Sequence, residues 1–193
     1  MFRRLYFLLA MLMLLVGCQP QVNWRTTDVT GKLPPLEFAL TDMEGKVRHG
    51  EDYRGKVTLL FTGFTHCPGI CPATLARLST VLEQVKGSRG QIQVLFVSLD
   101  PQRDTPKALK AYVQRFGSWF VGLTGNDEQL DDLMHRFFLS YRKEPPDESG
   151  RYDVIHSDII LIFDRQGHAR LLARSNTPLE DLEHDLQGLM EES

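Results

Sequence analysis

The chain has 193 residues, of which 42% are hydrophobic and 24% are charged, and its formal net charge is −3. This length suits a single domain with a sizeable core. The sequence contains no block of basic residues outside its first segment, which excludes the usual signature of a nucleic-acid-binding protein.

The N-terminus has the features of a signal peptide over residues 1–17. Arg3 and Arg4 give it a positive start, and residues 5–16 are almost wholly apolar. A membrane-spanning helix needs roughly 20 apolar residues, so this run is too short to cross a bilayer comfortably. The next residues, Leu15-Val16-Gly17-Cys18, resemble a bacterial lipobox, which predicts cleavage before Cys18 and lipidation of its sulfur. The alternative is an uncleaved N-terminal anchor with an incidental cysteine.

Cleavage at this point would leave 176 residues and change the formal charge from −3 to −5, because Arg3 and Arg4 are removed. Gln19 occupies the position where an Asp would resemble an inner-membrane retention signal, so the outer membrane is favoured. We therefore expect a protein of the bacterial cell envelope that is lipid-anchored, with its domain in the periplasm, where disulfides persist. Residues 18–33 are predicted to be a lipidated N-terminus and tether, and residues 34–193 a single domain.

The first half of the domain shows strand-like alternation and then helical spacing of its apolar residues. In chain order, the predicted elements are a half-buried strand over 36–40, a turn over 43–46, a short strand over 47–49, a buried strand over 56–62 and a helix over 73–85. The first long apolar strand therefore leads into the first long helix.

The second half continues this alternation. It is predicted to contain a strand over 92–99, a helix from Asp104 or Thr105 to about 116, a strand over 120–123, a helix from Asn126 or Asp127 to about 138, a mobile loop over 143–153, a hairpin of 159–163 with 169–173, and a last helix opened by Thr177-Pro178. Parallel strands with helical crossovers and a final antiparallel hairpin predict an α/β fold, a three-layer sandwich with a mixed central sheet. A cysteine pair at the end of the first crossover strand fits a thioredoxin-like fold.

Cys67 and Cys71 are the chemically most informative residues, and Cys18 is the only other cysteine. Residues four apart on a helix are separated by about 40° around its axis, so both sulfurs could bind one soft metal ion. Their spacing also allows a disulfide, either redox-active or structural. A structural bond is disfavoured because closing so short a loop gains little unfolded-state entropy.

Two sulfurs leave a metal site incomplete, and imidazole is the usual complement. His156 is the favoured histidine because it lies between the predicted loop over 143–153 and the apolar run over 159–163. His66 is interpreted as a polar neighbour of Cys67 that raises its thiolate character. The other histidines lie in polar or helical contexts and are predicted to be solvated: His49, His135, His168 and His184.

Three stretches of the sequence resemble the Sco/SenC family, the copper-handling proteins of cytochrome c oxidase assembly. Residues 61–72 resemble its Cys-Pro-Asp-Ile-Cys-Pro segment, residues 98–106 its second signature, and residues 154–157 the segment that carries its histidine ligand. With the order of elements, the resemblance covers about residues 34–190. It implies a thioredoxin-like fold and a copper metallochaperone.

The resemblance further implies that copper is bound by Cys67, Cys71 and His156. The implied protein is a monomer that delivers copper to the binuclear copper centre of cytochrome c oxidase subunit II. Gly69 departs from the family, which usually has an acidic residue at this position, so copper affinity, preferred oxidation state and partner choice stay open. Asp100, at the end of its strand, is either close to the site or a turn cap.

A second hypothesis is a thiol–disulfide oxidoreductase that uses Cys67 and Cys71 to reduce cysteines of the same subunit or of another exported copper or thiol protein. The pair has three intervening residues, whereas a standard thioredoxin motif has two. Metal binding needs both thiols reduced, so the two activities exclude each other at any instant, and whether the protein is an enzyme is left open. A peroxidase is disfavoured because Phe64 and Pro68 stand where a peroxidatic cysteine typically has Thr.

Overall fold

The computed structural model of the chain describes residues 22–192. The strands, in chain order, are β1 (Thr27–Asp28), β2 (Ala39–Asp42), β3 (Val47–His49), β4 (Val57–Gly63), β5 (Ile92–Ser98), β6 (Phe120–Thr124), β7 (Tyr141–Lys143), β8 (Val154–His156), β9 (Ile160–Phe163) and β10 (Ala169–Ala173). The α-helices are α1 (Ile70–Gln84), α2 (Pro106–Val113), α3 (Asp127–Arg136) and α4 (Leu179–Glu191). Cys18 and the predicted signal peptide lie outside the described residues.

The main sheet has eight strands in the order β1-β10-β9-β4-β5-β6-β2-β3. Strands β4, β5 and β6 are parallel, whereas β9 is antiparallel to β4 and β2 is antiparallel to β6. Every residue of β4 and β5 is buried, so both faces of the sheet are covered at its centre. The predicted α/β sandwich with a mixed sheet is confirmed.

The helices begin close to where the sequence predicts, with one informative difference. The side chains of Thr105 and Asn126 cap α2 and α3, because each accepts a hydrogen bond from a backbone N–H of the first turn. Helix α1 begins at Ile70, earlier than predicted, after Gly69 as its N-cap. Pro72 therefore lies in the first turn, where its missing N–H has no intrahelical partner to lose.

Part of the segment predicted to be a tether packs on the domain. Strand β1 pairs with β10 at the edge of the sheet. Asp185 of α4 is fully buried and accepts hydrogen bonds from the backbone N–H groups of Arg25 at 3.0 Å and Thr26 at 2.8 Å. Burial opposes ionisation of Asp185, but hydrogen bonds from His184, Arg25 and Thr26 outweigh it and lower the pKa of this carboxyl.

A second, two-stranded sheet is formed by β7 and β8, which pair antiparallel with Tyr141 opposite His156 and Lys143 opposite Val154. The sequence predicts a loop that runs directly into a core strand, whereas the structure forms this hairpin. His156 is therefore the last residue of a small hairpin outside the main sheet. Within residues 22–192, no helix has both the length and the apolar character needed to span a bilayer.

Candidate metal centre

The cysteine pair is held between the end of β4 and the start of α1. Cys67 lies in the connecting turn, where its N–H donates to the carbonyl oxygen of Phe64 at 3.3 Å, and it is half-buried. Cys71 is the second residue of α1 and is fully buried. Its backbone N–H points at the Sγ atom of Cys67, 3.4 Å away, so the sulfur satisfies one of the free donors at the helix start. Both thiols are free.

Gly63, the last residue of β4, lets Cys71 approach the sheet closely. A Cβ atom at this position would lie 2.7 Å from Sγ of Cys71 and 2.8 Å from the ring of Phe96. Burial raises the pKa of the Cys71 thiol, because a thiolate is poorly solvated there. A bound cation would offset this penalty. Gly63 was not among the predicted site residues, although a glycine that ends an apolar strand is a recognised sign of close packing.

His156 faces the buried cysteine. Its Nε2 atom lies 3.5 Å from Sγ of Cys71, and its Nδ1 atom lies 3.1 Å from the carbonyl oxygen of Ser157. Because a carbonyl only accepts hydrogen bonds, the second contact requires a proton on Nδ1 and leaves the Nε2 lone pair free for a metal. The rings of Phe61 and Phe64 pack edge-on against the imidazole, with centroid distances of 6.0 and 6.4 Å.

The donor atoms fit a soft metal ion. Two ligands at about 2.0 and 2.3 Å from one ion lie roughly 3.3–3.9 Å apart, and the 3.5 Å between Cys71 Sγ and His156 Nε2 is in this range. Thiolate and imidazole together suit copper or zinc. Ligand atoms of Cys67, Cys71 and His156 do not all lie within 4.8 Å of one another, so binding of one ion by all three requires these side chains to move closer together.

A pocket of about 320 Å³ opens beside the pair, and Cys67 and His156 line it. Most of its lining is apolar and includes Phe64, Ile70 and Ile155. Ile70 and Ile155 are exposed and line the same pocket, and grouped exposed apolar side chains are common where another molecule docks. The candidate site is therefore accessible from solvent and from a partner.

Asp104 holds the cysteine loop against the end of β5. It is fully buried and accepts hydrogen bonds from the backbone N–H of Thr65 at 2.7 Å, from the Thr65 hydroxyl at 2.6 Å and from the Ser98 hydroxyl at 2.5 Å. His66 is exposed, and its Nδ1 atom lies 3.4 Å from Oδ1 of Asp104. The sequence predicts Asp104 or Thr105 as the cap of the next helix, and Thr105 takes that role.

Asp100 connects β5 to the hairpin that carries His156. It is fully buried and accepts hydrogen bonds from Nε of Arg103 and from the hydroxyl of Tyr152, the latter at 2.6 Å. Its backbone carbonyl also closes the turn that follows β5. Asp100 thus closes the turn, one of the two roles that the sequence left open, and its side chain holds Tyr152 of the segment that leads to His156. Nothing in the polar stretch around Tyr152 indicated this contact.

Carboxylates and an imidazole also come together beside the cysteines. Ligand atoms of His66, Asp100 and Asp104 lie within 4.8 Å of one another. Both carboxylates already accept hydrogen bonds from neighbouring side chains, and Arg103 brings a positive charge to Asp100. We interpret the group as a structural network, because a cation here would have to displace these donors.

The remaining histidines lie elsewhere. Three of those predicted to be solvated are exposed: His49, His135 and His168. His184 differs, since it is half-buried and its Nδ1 atom lies 2.9 Å from Oδ1 of Asp185. Among the histidines, the structure brings His156 into contact with Cys71.

Comparison with known proteins identifies one family. Residues 30–191 match the family model described as SCO1/SenC, which covers most of the chain. The mitochondrial SCO2 homologue of Bos taurus is 41% identical over 133 residues, which are 68% of this chain and 50% of that protein. The chain thus spans about half the length of this curated relative.

Two solved structures are similar over nearly their whole length. ScoI of Bradyrhizobium japonicum, solved with copper bound, is 31% identical and superposes with a TM-score of 0.73, covering 80% of this chain and 98% of ScoI. Apo Sco1 of Thermus thermophilus is 30% identical with a TM-score of 0.77, covering 89% of this chain and 99% of Sco1. Both likenesses agree with the thioredoxin-like fold that the sequence predicts.

Proposed function

The chain belongs to the SCO1/SenC family, and on this premise we propose that it is a copper metallochaperone in the assembly of cytochrome c oxidase. Copper would be bound by Cys67, Cys71 and His156. The observation that carries this proposal is the 3.5 Å contact between Sγ of Cys71 and Nε2 of His156, with the imidazole proton held on the other ring nitrogen. Copper-bound structures of similar proteins support the choice of metal.

The protein's own residues have distinct roles in binding. Both thiols lose their protons when they ligate a metal, and the positive ion compensates for a thiolate buried at Cys71. Ser157 fixes the orientation and tautomer of His156 through its carbonyl oxygen. Two thiolates would supply soft donors and the neutral imidazole a borderline one, a set that suits copper(I).

Release to a partner would proceed by exchange of ligands without a change in the oxidation state of copper. Cys67 and His156 are half-buried and line the open pocket, whereas Cys71 is fully buried. Ligands of an acceptor would therefore replace Cys67 or His156 first and Cys71 last. The acceptor we propose is the binuclear copper centre of cytochrome c oxidase subunit II, or another exported copper protein.

We also propose a lipid anchor at Cys18 that holds the domain at the periplasmic face of a bacterial membrane, with the outer membrane favoured. Support comes from the short apolar run before Leu15-Val16-Gly17-Cys18. Mass spectrometry of the mature N-terminus tests it. A lipidated Cys18 at the first position is expected, and an unmodified Cys18 inside a longer chain would exclude it.

A copper titration of the purified reduced protein tests the main proposal. We expect one copper ion per chain, and a loss of affinity of at least roughly 10- to 100-fold in His156→Ala, since changes in groups that only support ligands already cost this much. His168→Ala is the matched control, because His168 is exposed and lies in another part of the fold. Equal copper affinity of His156→Ala and the unchanged protein would reject His156 as a ligand.

A thiol–disulfide oxidoreductase is the second candidate, and the asymmetry of the cysteines favours it. Cys67 is half-buried beside the pocket and could attack a partner disulfide, while the buried Cys71 could resolve the mixed disulfide. His156→Ala keeps both thiols and separates the two functions. Cells that carry it should assemble oxidase poorly if copper handling is the function. Normal assembly with His156→Ala, together with failure of Cys67→Ser, would favour the reductase.

A further inference from the structure

The hairpin of β7 and β8, which carries His156, is tied to the rest of the protein by two kinds of contact. On the β7 side, the hydroxyl of Tyr141 donates to Oδ1 of Asp131 at 2.8 Å, and Lys143 pairs with Asp127 at 2.9 Å. Both acidic partners are exposed, so water competes for these contacts. Each of them contributes little to holding the hairpin in place.

On the β8 side, the hairpin is tied to a buried carboxylate. The hydroxyl of Tyr152 donates to Oδ1 of Asp100 at 2.6 Å, and Nε of Arg103 donates to Oδ2. Nη1 of Arg103 also donates to the backbone oxygen of Tyr152 at 3.1 Å, and the guanidinium lies 3.6 Å from the centroid of the tyrosine ring. Both sides of the hairpin use hydrogen bonds to carboxylates, but Asp100 is fully buried, so water competes less for its oxygens and this contact is the stronger one.

We propose that Asp100, Arg103 and Tyr152 form a latch that positions His156 against Cys71 and thereby sets copper affinity without binding copper. The latch has this role only if His156 is a copper ligand, so it rests on the proposed function. Its members are positioning residues, because they act on the metal through the imidazole.

The chain between the latch and the imidazole is short. Tyr152 precedes His156 by four residues, which is about 13 Å of extended chain at 3.3 Å per residue. Val154, midway between them, is buried and adds a second attachment point. Arg103 also lies 5.8 Å from the ring centroid of Phe64, which packs edge-on against the imidazole. A displacement at the latch therefore reaches His156 both along β8 and through its packing partner.

Two tyrosines of the same hairpin provide a matched test. Tyr152→Phe removes the hydroxyl that reaches buried Asp100, whereas Tyr141→Phe removes a hydroxyl that reaches exposed Asp131. Copper affinity of the full reduced protein is measured by competition with a chelator. We expect Tyr152→Phe to weaken copper binding roughly 10-fold, as for other residues that orient metal ligands. Tyr141→Phe should leave it within about twofold.

Two further readouts separate positioning from general destabilisation. Tyr152→Phe should keep the rate of Cys67–Cys71 disulfide exchange and should weaken the nitrogen coupling of His156 in the EPR spectrum of the copper(II)-loaded protein. Arg103→Lys keeps the positive charge but loses the two hydrogen bonds of the guanidinium and its stacking on the tyrosine ring. It should therefore also keep the rate of disulfide exchange and weaken the nitrogen coupling of His156. If Tyr152→Phe fails to fold, Arg103→Lys decides the matter.

A double-mutant cycle with His156→Ala gives the decisive outcome. In the His156→Ala background, Tyr152→Phe should have no further effect on copper affinity, because the ligand that the latch positions is gone. An equal loss in both backgrounds would overturn the latch. The latch would also be overturned if Tyr152→Phe kept the full copper affinity of the unchanged protein while His156→Ala lowered it. Equal affinities of the unchanged protein and His156→Ala would instead overturn the proposed function, and the latch with it.

Discussion

Cys71 and His156 are in contact, yet different parts of the protein hold them. Cys71 is fully buried at the start of α1, packed against β4, a central strand whose residues are all buried. His156 ends a three-residue strand of a hairpin outside the main sheet. The buried thiol is thus part of the core, whereas the imidazole is brought to it by a peripheral element.

This difference predicts which changes affect folding and which affect only metal binding. A change that crowds Cys71 also disturbs the core, because its sulfur packs between the sheet and α1. A change in the hairpin alters the position of one candidate ligand and leaves the thiols in place. Thiol chemistry and copper binding should therefore respond differently to substitutions in the two regions.

The largest expected effect is the loss of copper binding when the cysteine pair is oxidised. A Cys67–Cys71 disulfide removes both thiolate ligands, and His156 alone cannot hold copper tightly. Copper titration of the oxidised and reduced protein measures this directly. If the oxidised protein binds copper as tightly as the reduced protein, the cysteines are not the ligands.

Crowding the cysteine side should cost stability. In Gly63→Ala the new Cβ would lie 2.7 Å from Sγ of Cys71, so we expect a loss of about 1–3 kcal/mol in the free energy of unfolding. Urea unfolding compares Gly63→Ala with the unchanged protein. Equal stability of the two would show that Cys71 is not packed as described.

A change far from both regions shows how a purely structural contact behaves. Asp185→Asn should destabilise the protein by about 1–3 kcal/mol at neutral pH, because a charged acceptor of several hydrogen bonds is lost. Copper affinity and thiol exchange should not change. The folded-state pKa of Asp185 is lowered, so its contribution is present above the ordinary pKa of 3.8 and is lost as the pH falls through the folded value.

The difference between the unchanged protein and Asp185→Asn should therefore shrink in acid. Thermal unfolding at neutral pH and at successively lower pH measures it. A difference that stays constant down to full protonation of the carboxyl would mean that charge at this position does not stabilise the fold.

The sequence predicts the cysteine side well and the histidine side poorly, for physical reasons. Strands β4 and β5 are long apolar runs, and Thr105-Pro106 is a strong helix start, so local patterns identify them. Strands β7 and β8 have three residues each and include polar side chains, so no period can be recognised. The link from Asp100 to Tyr152 joins residues 52 apart in sequence, and local patterns carry no information about such contacts.

X-ray absorption at the copper edge tests most directly whether the two regions supply the ligands of one ion. The copper-loaded reduced protein should show two sulfur ligands at about 2.3 Å and one imidazole nitrogen at about 2.0 Å, distances typical of thiolate and imidazole ligands. His156→Ala should lose the nitrogen and keep both sulfurs. A spectrum of the unchanged protein without an imidazole nitrogen, or with a single sulfur, would contradict the site formed by Cys67, Cys71 and His156.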